Sequence, residues 1–382
     1  MTELGSPLPS PATRPARNAT VALPLPLKAL AAFDAIIDVR SPAEFAIDHL
    51  PGAISCPVLS DEQRAVVGTR YKQVSSFEAK KIGAAMVARN IADHIDRHFH
   101  AHPKSWKPLI YCWRGGARSG AMTHILRQIG WDARQLEGGY KAWRASVATA
   151  LKALPGRFRF VAVCGRTGSG KSRLLSALAA RGAQVLDLER MAAHKGSVLG
   201  DLPDRPQPSQ KAFETAIWAA LDAFEPARTV FIEAESKKVG SLHVPDALMR
   251  AMWASPCVEL ITPDSLRVSL LQEEYAHFPA DPARLREKIA CIAPLHSGSQ
   301  VAHWMALIDC GDWDAFVRDL MANHYDPAYR RSMFRNYAAL PQAMQVTLAA
   351  ADTAGFAQAA EAILSQCADG GRPMTAWCAE PS

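Results

Sequence analysis

Two short loops carry side chains suited to chemistry. The first is Cys112-Trp113-Arg114-Gly115-Gly116-Ala117-Arg118-Ser119, between the apolar run Pro108-Leu109-Ile110-Tyr111 and an amphipathic segment. A cysteine at that junction stands at the carboxyl end of a buried strand, where open parallel sheets place ligand sites. Two glycines let successive backbone N–H groups turn inward, the next helix adds its N-terminal dipole, and Arg114 and Arg118 add positive charge. Such a loop is expected to hold an anion and to present Cys112 as a thiolate nucleophile. The second loop, Gly165-Arg166-Thr167-Gly168-Ser169-Gly170-Lys171-Ser172, fits G-x-x-x-x-G-K-[ST] at every position. Its glycines allow backbone N–H groups to wrap a diphosphate, Lys171 adds a point charge, and Ser172 offers a hydroxyl to Mg²⁺. Glu233, directly after Val230-Phe231-Ile232, is the expected carboxylate partner of that metal, with Asp187 and Glu189 behind it. The loop Ala193-His194-Lys195-Gly196-Ser197 either brings basic groups to the phosphates or is a solvated turn.

The elements that position these loops are legible as alternating apolar runs and amphipathic stretches. Residues 35–39 and 108–111 predict buried strands in the first half; 158–163, 184–188, 229–232 and 258–262 predict four more in the second. Between them, Met122, Ile125, Leu126 and Ile129 mark a helix closed by Gly130. Residues 171–181, stopped by Gly182, mark another, and 209–224 a third, with Phe213, Ile217, Ala220, Leu221 and Phe224 on one face. The alternation predicts a parallel, doubly wound sheet in each half, with a boundary at residues 151–157 where a Pro-Gly pair breaks the pattern. Beyond about residue 270 the chain reads as alanine-rich and helical.

Composition excludes several classes. The 382 residues are 49% hydrophobic and 21% charged, which suits a soluble protein of two domains and argues against disorder or coiled coil. No apolar run approaches the ~20 residues of a membrane span. Residues 1–27 carry six prolines and no apolar core of a signal peptide, so they are expected to be a disordered lead-in. Eight cysteines without a CxxC pair disfavour a zinc cage or a disulfide framework and point to a reduced, cytoplasmic protein. Apart from Cys112, each reads as a small buried hydrophobe. The formal charge of +6 permits a polyanionic partner without demanding one.

Motifs around the cysteine loop resemble the rhodanese fold. They are Asp38-Val39-Arg40-Ser41-Pro42-Ala43-Glu44-Phe45 with His49-Leu50-Pro51-Gly52-Ala53 before the loop, and Gly138-Gly139-Tyr140 with Trp143 after it. Typical rhodanese sulfurtransferases place four residues between cysteine and loop arginine, whereas five separate Cys112 from Arg118, as in rhodanese-fold phosphatases. The longer loop suits a tetrahedral, phosphate-like donor.

The whole chain, from about residue 30 to 340, resembles the tRNA 2-selenouridine synthase family. Further matching segments are residues 67–73, His194-Lys195-Gly196-Ser197, Pro206-Gln207-Pro208-Ser209-Gln210, Glu233-Ala234-Glu235-Ser236 and Tyr325-Asp326-Pro327. The resemblance implies an α/β fold: a rhodanese-like parallel-sheet domain over 28–150 and a P-loop NTPase-like domain over 157–340 with a helical C-terminal part. Residues 341–382, which have no counterpart in the family, are expected from their alanine-rich and then Gly- and Pro-bearing composition to be a helical extension with a frayed tail. It implies a tRNA substrate carrying 2-thiouridine at the wobble position, alkylation of its sulfur by geranyl diphosphate, and replacement of that sulfur by selenium from selenophosphate. Mg²⁺ is expected, a tightly bound prosthetic group is not. Cys112, with Arg114 and Arg118, would handle selenium transfer, and residues 165–172 the diphosphate. Gly68, Arg70, Lys72, Arg330 and Arg331 are candidate tRNA contacts, joined by Lys80, Lys81, Arg335 and the aromatics Tyr325, Tyr329, Phe334 and Tyr337 as groups that neutralise phosphates or stack bases. Three other readings stay open: an ATP-dependent P-loop sulfurtransferase or kinase, a nucleotide switch to which the rhodanese-like half is attached as a docking or sensing module, and a phosphatase suggested by the longer cysteine loop, which leaves the P-loop unexplained.

Overall fold

A computed structural model describes residues 20–368 apart from residue 22. The chain divides at Ser146/Val147 into two compact units, each built on one parallel sheet. Most of the expected lead-in and the tail containing Cys378 lie outside the described residues. One part of the lead-in expectation is corrected: Thr20–Val21 forms a strand, β1, paired in parallel with a later strand.

The first sheet contains β1, β2 (Ala35–Asp38), β3 (Ala53–Ser55), β4 (Pro108–Tyr111) and β5 (Arg134–Leu136), in the order β1-β5-β4-β2-β3. Every pairing is parallel. The central pair, β2 and β4, is buried almost throughout, which is why its residues read as continuous apolar runs in the sequence. Helix Ala117–Ile129 lays Met122 and Leu126 on this sheet beside Ile37, Ile110 and Trp131. Gly130, at φ +111°, closes the helix in a left-handed cap. Ile129, assigned to the buried face by its spacing, is half exposed because the helix ends there.

The second sheet contains β6 (Phe160–Cys164), β7 (Gln184–Leu186), β8 (Val230–Glu233), β11 (Cys257–Ile261) and β12 (Met344–Thr347), in the order β12-β11-β6-β8-β7. Residues Lys238–Val239 (β9) and Leu242–His243 (β10) form a separate antiparallel hairpin. Helix Lys171–Ala180 buries Leu174, Leu175 and Leu178 against β6 and β8 on one side and against Phe356, Ala360 and Ile363 of helix Thr353–Ala368 on the other. Each such side chain is worth ~1.5–3 kcal/mol when fully buried. Residues 341–382 were expected to be a helical extension with a frayed tail: helix Thr353–Ala368 fits, the tail lies outside the described residues, and Met344–Thr347 is a correction, adding an edge strand to the sheet, parallel to β11. Four residues alternating buried and exposed are too short a run to stand out from an alanine-rich surrounding.

The buried-hydrophobe expectation fits Cys56, Cys164 and Cys257. Cys291 and Cys310 are corrections: both are exposed on helices, donating their thiols to the carbonyls of Glu287 and Leu307.

Candidate active sites

Cys112 follows β4 directly, and its sulfur accepts hydrogen bonds from Gly116 N–H at 3.3 Å and Ser119 Oγ at 3.1 Å. Gln135, on neighbouring β5, fixes the loop by donating Nε2 to Ser119 Oγ and to the carbonyls of Gly115 and Gly116. From below, Tyr140 N–H donates to Cys112 O and Lys141 N–H to Trp113 O, each at 2.9 Å. Gly139 makes this contact feasible: its φ is +59°, and a Cβ there would stand 2.3 Å from Cys112 O. Replacing it with alanine combines left-handed strain with a backbone clash. Gly139→Ala is therefore expected to destabilise this unit by ~2–4 kcal/mol, checked by denaturant unfolding followed by far-ultraviolet circular dichroism.

The early and closing motifs meet through Arg40. Its guanidinium is buried, pairs with both oxygens of Asp38 and donates to Asp48 O, and stacks 3.9 Å from the centroid of the Tyr140 ring. Tyr140 in turn donates its hydroxyl to Asp48 Oδ2 at 2.8 Å. Arg118 is anchored too, donating Nη1 to Glu44 Oε2 at 2.9 Å, with Arg64 on the same oxygen at 3.2 Å. Burial alone would raise the Glu44 carboxyl, but its bonds to Arg118 outweigh that and hold it below the ordinary range. Arg114 is exposed. Glu44 and Ser119 stood within the quoted motifs without a role assigned to them, and Gln135 was missed.

In the second unit, the loop 165–172 leaves β6 and enters helix Lys171–Ala180, with Gly165, Gly168 and Gly170 all at positive φ. Lys171 Nζ donates to Gly165 O at 3.2 Å. Thr262 donates its hydroxyl to Ser169 O, and Arg267 donates Nε and Nη2 to Thr167 O. Arg267 is buried and paired with Asp326 and Asp264. This arginine clamp carried no sequence signal, since a single arginine in an amphipathic helix usually faces solvent.

Glu233 ends β8, adjacent to β6, and lies beside Glu189 and Glu235; one oxygen of each falls within 4.8 Å of the others. Ser172 Oγ donates to Glu189 Oε2 at 3.1 Å and stands 3.5 Å from Glu233 Oε1. Burial and then the neighbouring carboxylates push Glu233 well above the ordinary range, and burial with Glu235 pushes Glu189 up to about 8. Lys171 is the opposing charge: burial lowers its pKa, but Glu233, Glu189 and Glu235 more than reverse that. Glu233 Oε2 is buried with no hydrogen-bond partner among the described residues. Three crowded carboxyls, one orphaned oxygen and the Ser172 hydroxyl form an oxygen donor set that fits Mg²⁺. Asp187, considered behind Glu233, instead caps helix Leu188–Ala192 by accepting from Arg190 N–H. Glu235 was missed as a ligand, although its i, i+2 spacing from Glu233 was a usable signal. Titrating Mg²⁺ into metal-stripped protein is expected to raise the unfolding temperature, corresponding to ~2.7 kcal/mol at 100 times Kd. Glu235→Gln should need several-fold more Mg²⁺ for the same rise; an unchanged titration would remove Glu235 from the site.

A cavity of about 350 Å³ opens over this loop, lined by Lys171, Ser172, Glu189, Lys195, Glu235 and Tyr329, among others. Lys195 thus reaches the site, where it also pairs with Glu274. His194 is buried, and its Nδ1 accepts from Gly196 N–H.

Comparisons with known proteins match both units. Residues 26–146 fit the rhodanese-like domain and residues 158–289 the tRNA 2-selenouridine synthase AAA domain. The tRNA 2-selenouridine synthase of Alcanivorax borkumensis is 30% identical over 328 residues, covering 77% of this chain and 88% of that protein. That of Cupriavidus necator is 32% identical over 330 residues, covering 77% and 87%. The chain belongs to the tRNA 2-selenouridine synthase family. Against the synthase of Nitrosomonas europaea it is 35% identical, over a match spanning 63% of either chain and so less than two thirds of that relative.

The segments that resemble this family now have structural roles. Gln207 donates to Ala192 O and Val239 O and accepts from Ser241, and Gln210 pairs with the backbone of His243, so residues 206–210 hold the β9-β10 hairpin to the turn before His194. Tyr329 accepts from Gly165 N–H at 2.8 Å, and Tyr337 donates to Glu235 O at 3.2 Å. Tyr337 is fully buried, which corrects its assignment as a base-stacking group. Arg330, Arg331, Arg335 and Phe334 are exposed along helix Asp326–Asn336. Gly68, Arg70 and Lys72 lie on helix Asp61–Gln73, which buries none of its residues, and Lys80 and Lys81 are exposed on the following helix, Ser76–His94. Tyr71, Val74 and Phe77, overlooked in the sequence, are exposed among them.

Proposed function

We propose that the protein replaces the sulfur of wobble 2-thiouridine in tRNA by selenium in two steps. In the first, the thiocarbonyl sulfur attacks C1 of geranyl diphosphate; diphosphate departs, the uracil ring loses its N3 proton, and S-geranyl-2-thiouridine forms. In the second, selenium from selenophosphate adds at C2, geranylthiol leaves, and water takes up the phosphoryl group as phosphate.

The observation that carries this reading is the presence in one member of this family of an intact phosphate loop and an intact cysteine loop. Lys171 and the N–H groups of residues 165–172 suit the charge that grows on a departing diphosphate. Ser172, Glu189, Glu233 and Glu235 would hold Mg²⁺, which supplies further stabilisation of that charge when bound. The donors around Cys112 suit a nucleophilic sulfur facing a tetrahedral anion, and Cys112 handles selenium transfer. The exposed cations and aromatics of residues 64–81 and 330–335 suit single-stranded RNA, whose phosphates and unstacked bases they can engage. The reactive base must leave its stack to be reached. Among the described residues no helix is long and apolar enough to cross a membrane.

Mixing purified protein with 2-thiouridine tRNA, Mg²⁺, geranyl diphosphate and selenophosphate is expected to give 2-selenouridine, read by mass spectrometry of wobble nucleosides. Unchanged tRNA, with added ATP hydrolysed, would instead favour an ATP-dependent kinase or sulfurtransferase.

A further inference from the structure

A second cavity, of about 70 Å³, adjoins the polar one over the phosphate loop. Its walls are mainly carbon: Leu199, Phe278, Leu285, Phe316, Val317 and Leu320. The two cavities share Thr167, Ser197, Leu271, Tyr275 and Tyr325, so they are compartments with a common wall. The phosphate loop abuts that wall: a Cβ on Gly168 would meet the Leu271 side chain at 2.6 Å. Lys195, on the polar side, sits 4.7 Å from the Tyr275 ring centroid and marks the change from charged to apolar surroundings.

We propose that this apolar compartment binds the hydrocarbon chain of the diphosphate whose head lies in residues 165–172. The inference rests on the reading of this loop as a prenyl diphosphate site and locates its tail. An amphiphile of that kind needs an anion cradle and a dry chamber in contact, and these two cavities provide both. At the ~30 Å³ that a water, or a chain carbon of similar size, takes up in a liquid, the chamber holds about two or three carbons at the end of the chain, with the rest in the larger cavity. Tyr275 and Tyr325 line both cavities at the junction, where head and tail of such a ligand meet.

The test compares dimethylallyl, geranyl and farnesyl diphosphates as alkyl donors to 2-thiouridine tRNA. Phe316→Ala, which enlarges the chamber, is expected to raise the farnesyl-to-geranyl ratio of kcat/KM about tenfold. Val317→Phe, which fills it, is expected to lower geranyl transfer at least about tenfold while leaving dimethylallyl transfer within about threefold. Folded variants that keep the wild-type ratios would overturn the assignment and leave the proposed reaction standing. Absence of alkylation by wild type with all three donors would overturn the reaction and this inference together. If either variant fails to fold, wild type decides alone: geranyl diphosphate should raise its unfolding temperature above the rise given by inorganic pyrophosphate, and equal rises would overturn the proposal.

Discussion

A Cys112→Ala protein supplied with tRNA, Mg²⁺ and both donors is expected to accumulate S-geranyl-2-thiouridine and to form 2-selenouridine at least ~10³-fold more slowly than wild type. Alkylation is untouched in this account because the cysteine loop and the phosphate loop belong to different sheets, one following β4 and the other following β6. The loop keeps its shape in the variant, since Gln135 and the backbone of Tyr140 and Lys141 hold it through carbonyls and Ser119 rather than through the sulfur. Only the thiol is lost. Quantifying both nucleosides by mass spectrometry over a time course separates this from a folding defect, which would lower both products.

Lys171→Ala is expected to lower both products, by ~10²–10³-fold, because the second step has no substrate without the first. That loss corresponds to the ~3–4 kcal/mol associated with one oriented donor at developing negative charge. The ammonium is buried and faces Glu189, Glu233 and Glu235, so its removal also leaves three crowded carboxyls without their cation. Lys171→Arg retains the charge but cannot match a point donor on a short-range carbonyl and phosphate geometry, and should recover only part of the rate. Initial rates with geranyl diphosphate, with Mg²⁺ saturating, measure the effect. The unfolding midpoint of each variant records what belongs to stability.

The sheets were legible because their central strands are buried on both faces. Ile36-Ile37, Leu109-Ile110 and Val161 to Cys164 have no polar residue to interrupt them, and each is followed by a glycine-bearing turn or a charged motif that locates the chemistry. Strands β3, β5 and β12 are too short for a period to stand out and are not continuous apolar runs; pairing with a neighbouring strand defines them. The same distinction applies within the sites. Cys112 and Lys171 were found because the loop around each is a contiguous motif, and Glu233 because it directly follows an apolar strand. Glu44, Gln135 and Arg267 were not, since each reaches its loop from 20 to 100 residues away. Tyr329 and Tyr337 were assigned to RNA from their spacing among arginines, yet their hydroxyls are engaged with the backbone of the phosphate loop and of Glu235. Alternating aromatic and basic residues on a helix have one face inward, and sequence did not indicate which.

The division of labour between the loops is tested most directly with tRNA that already carries S-geranyl-2-thiouridine. With selenophosphate and no geranyl diphosphate, Lys171→Ala is expected to convert it to 2-selenouridine at the wild-type rate, while Cys112→Ala leaves it unchanged. Failure of folded Lys171→Ala to convert the geranylated tRNA, or its conversion by Cys112→Ala, would contradict the assignment of alkylation to the phosphate loop and selenium transfer to the cysteine loop.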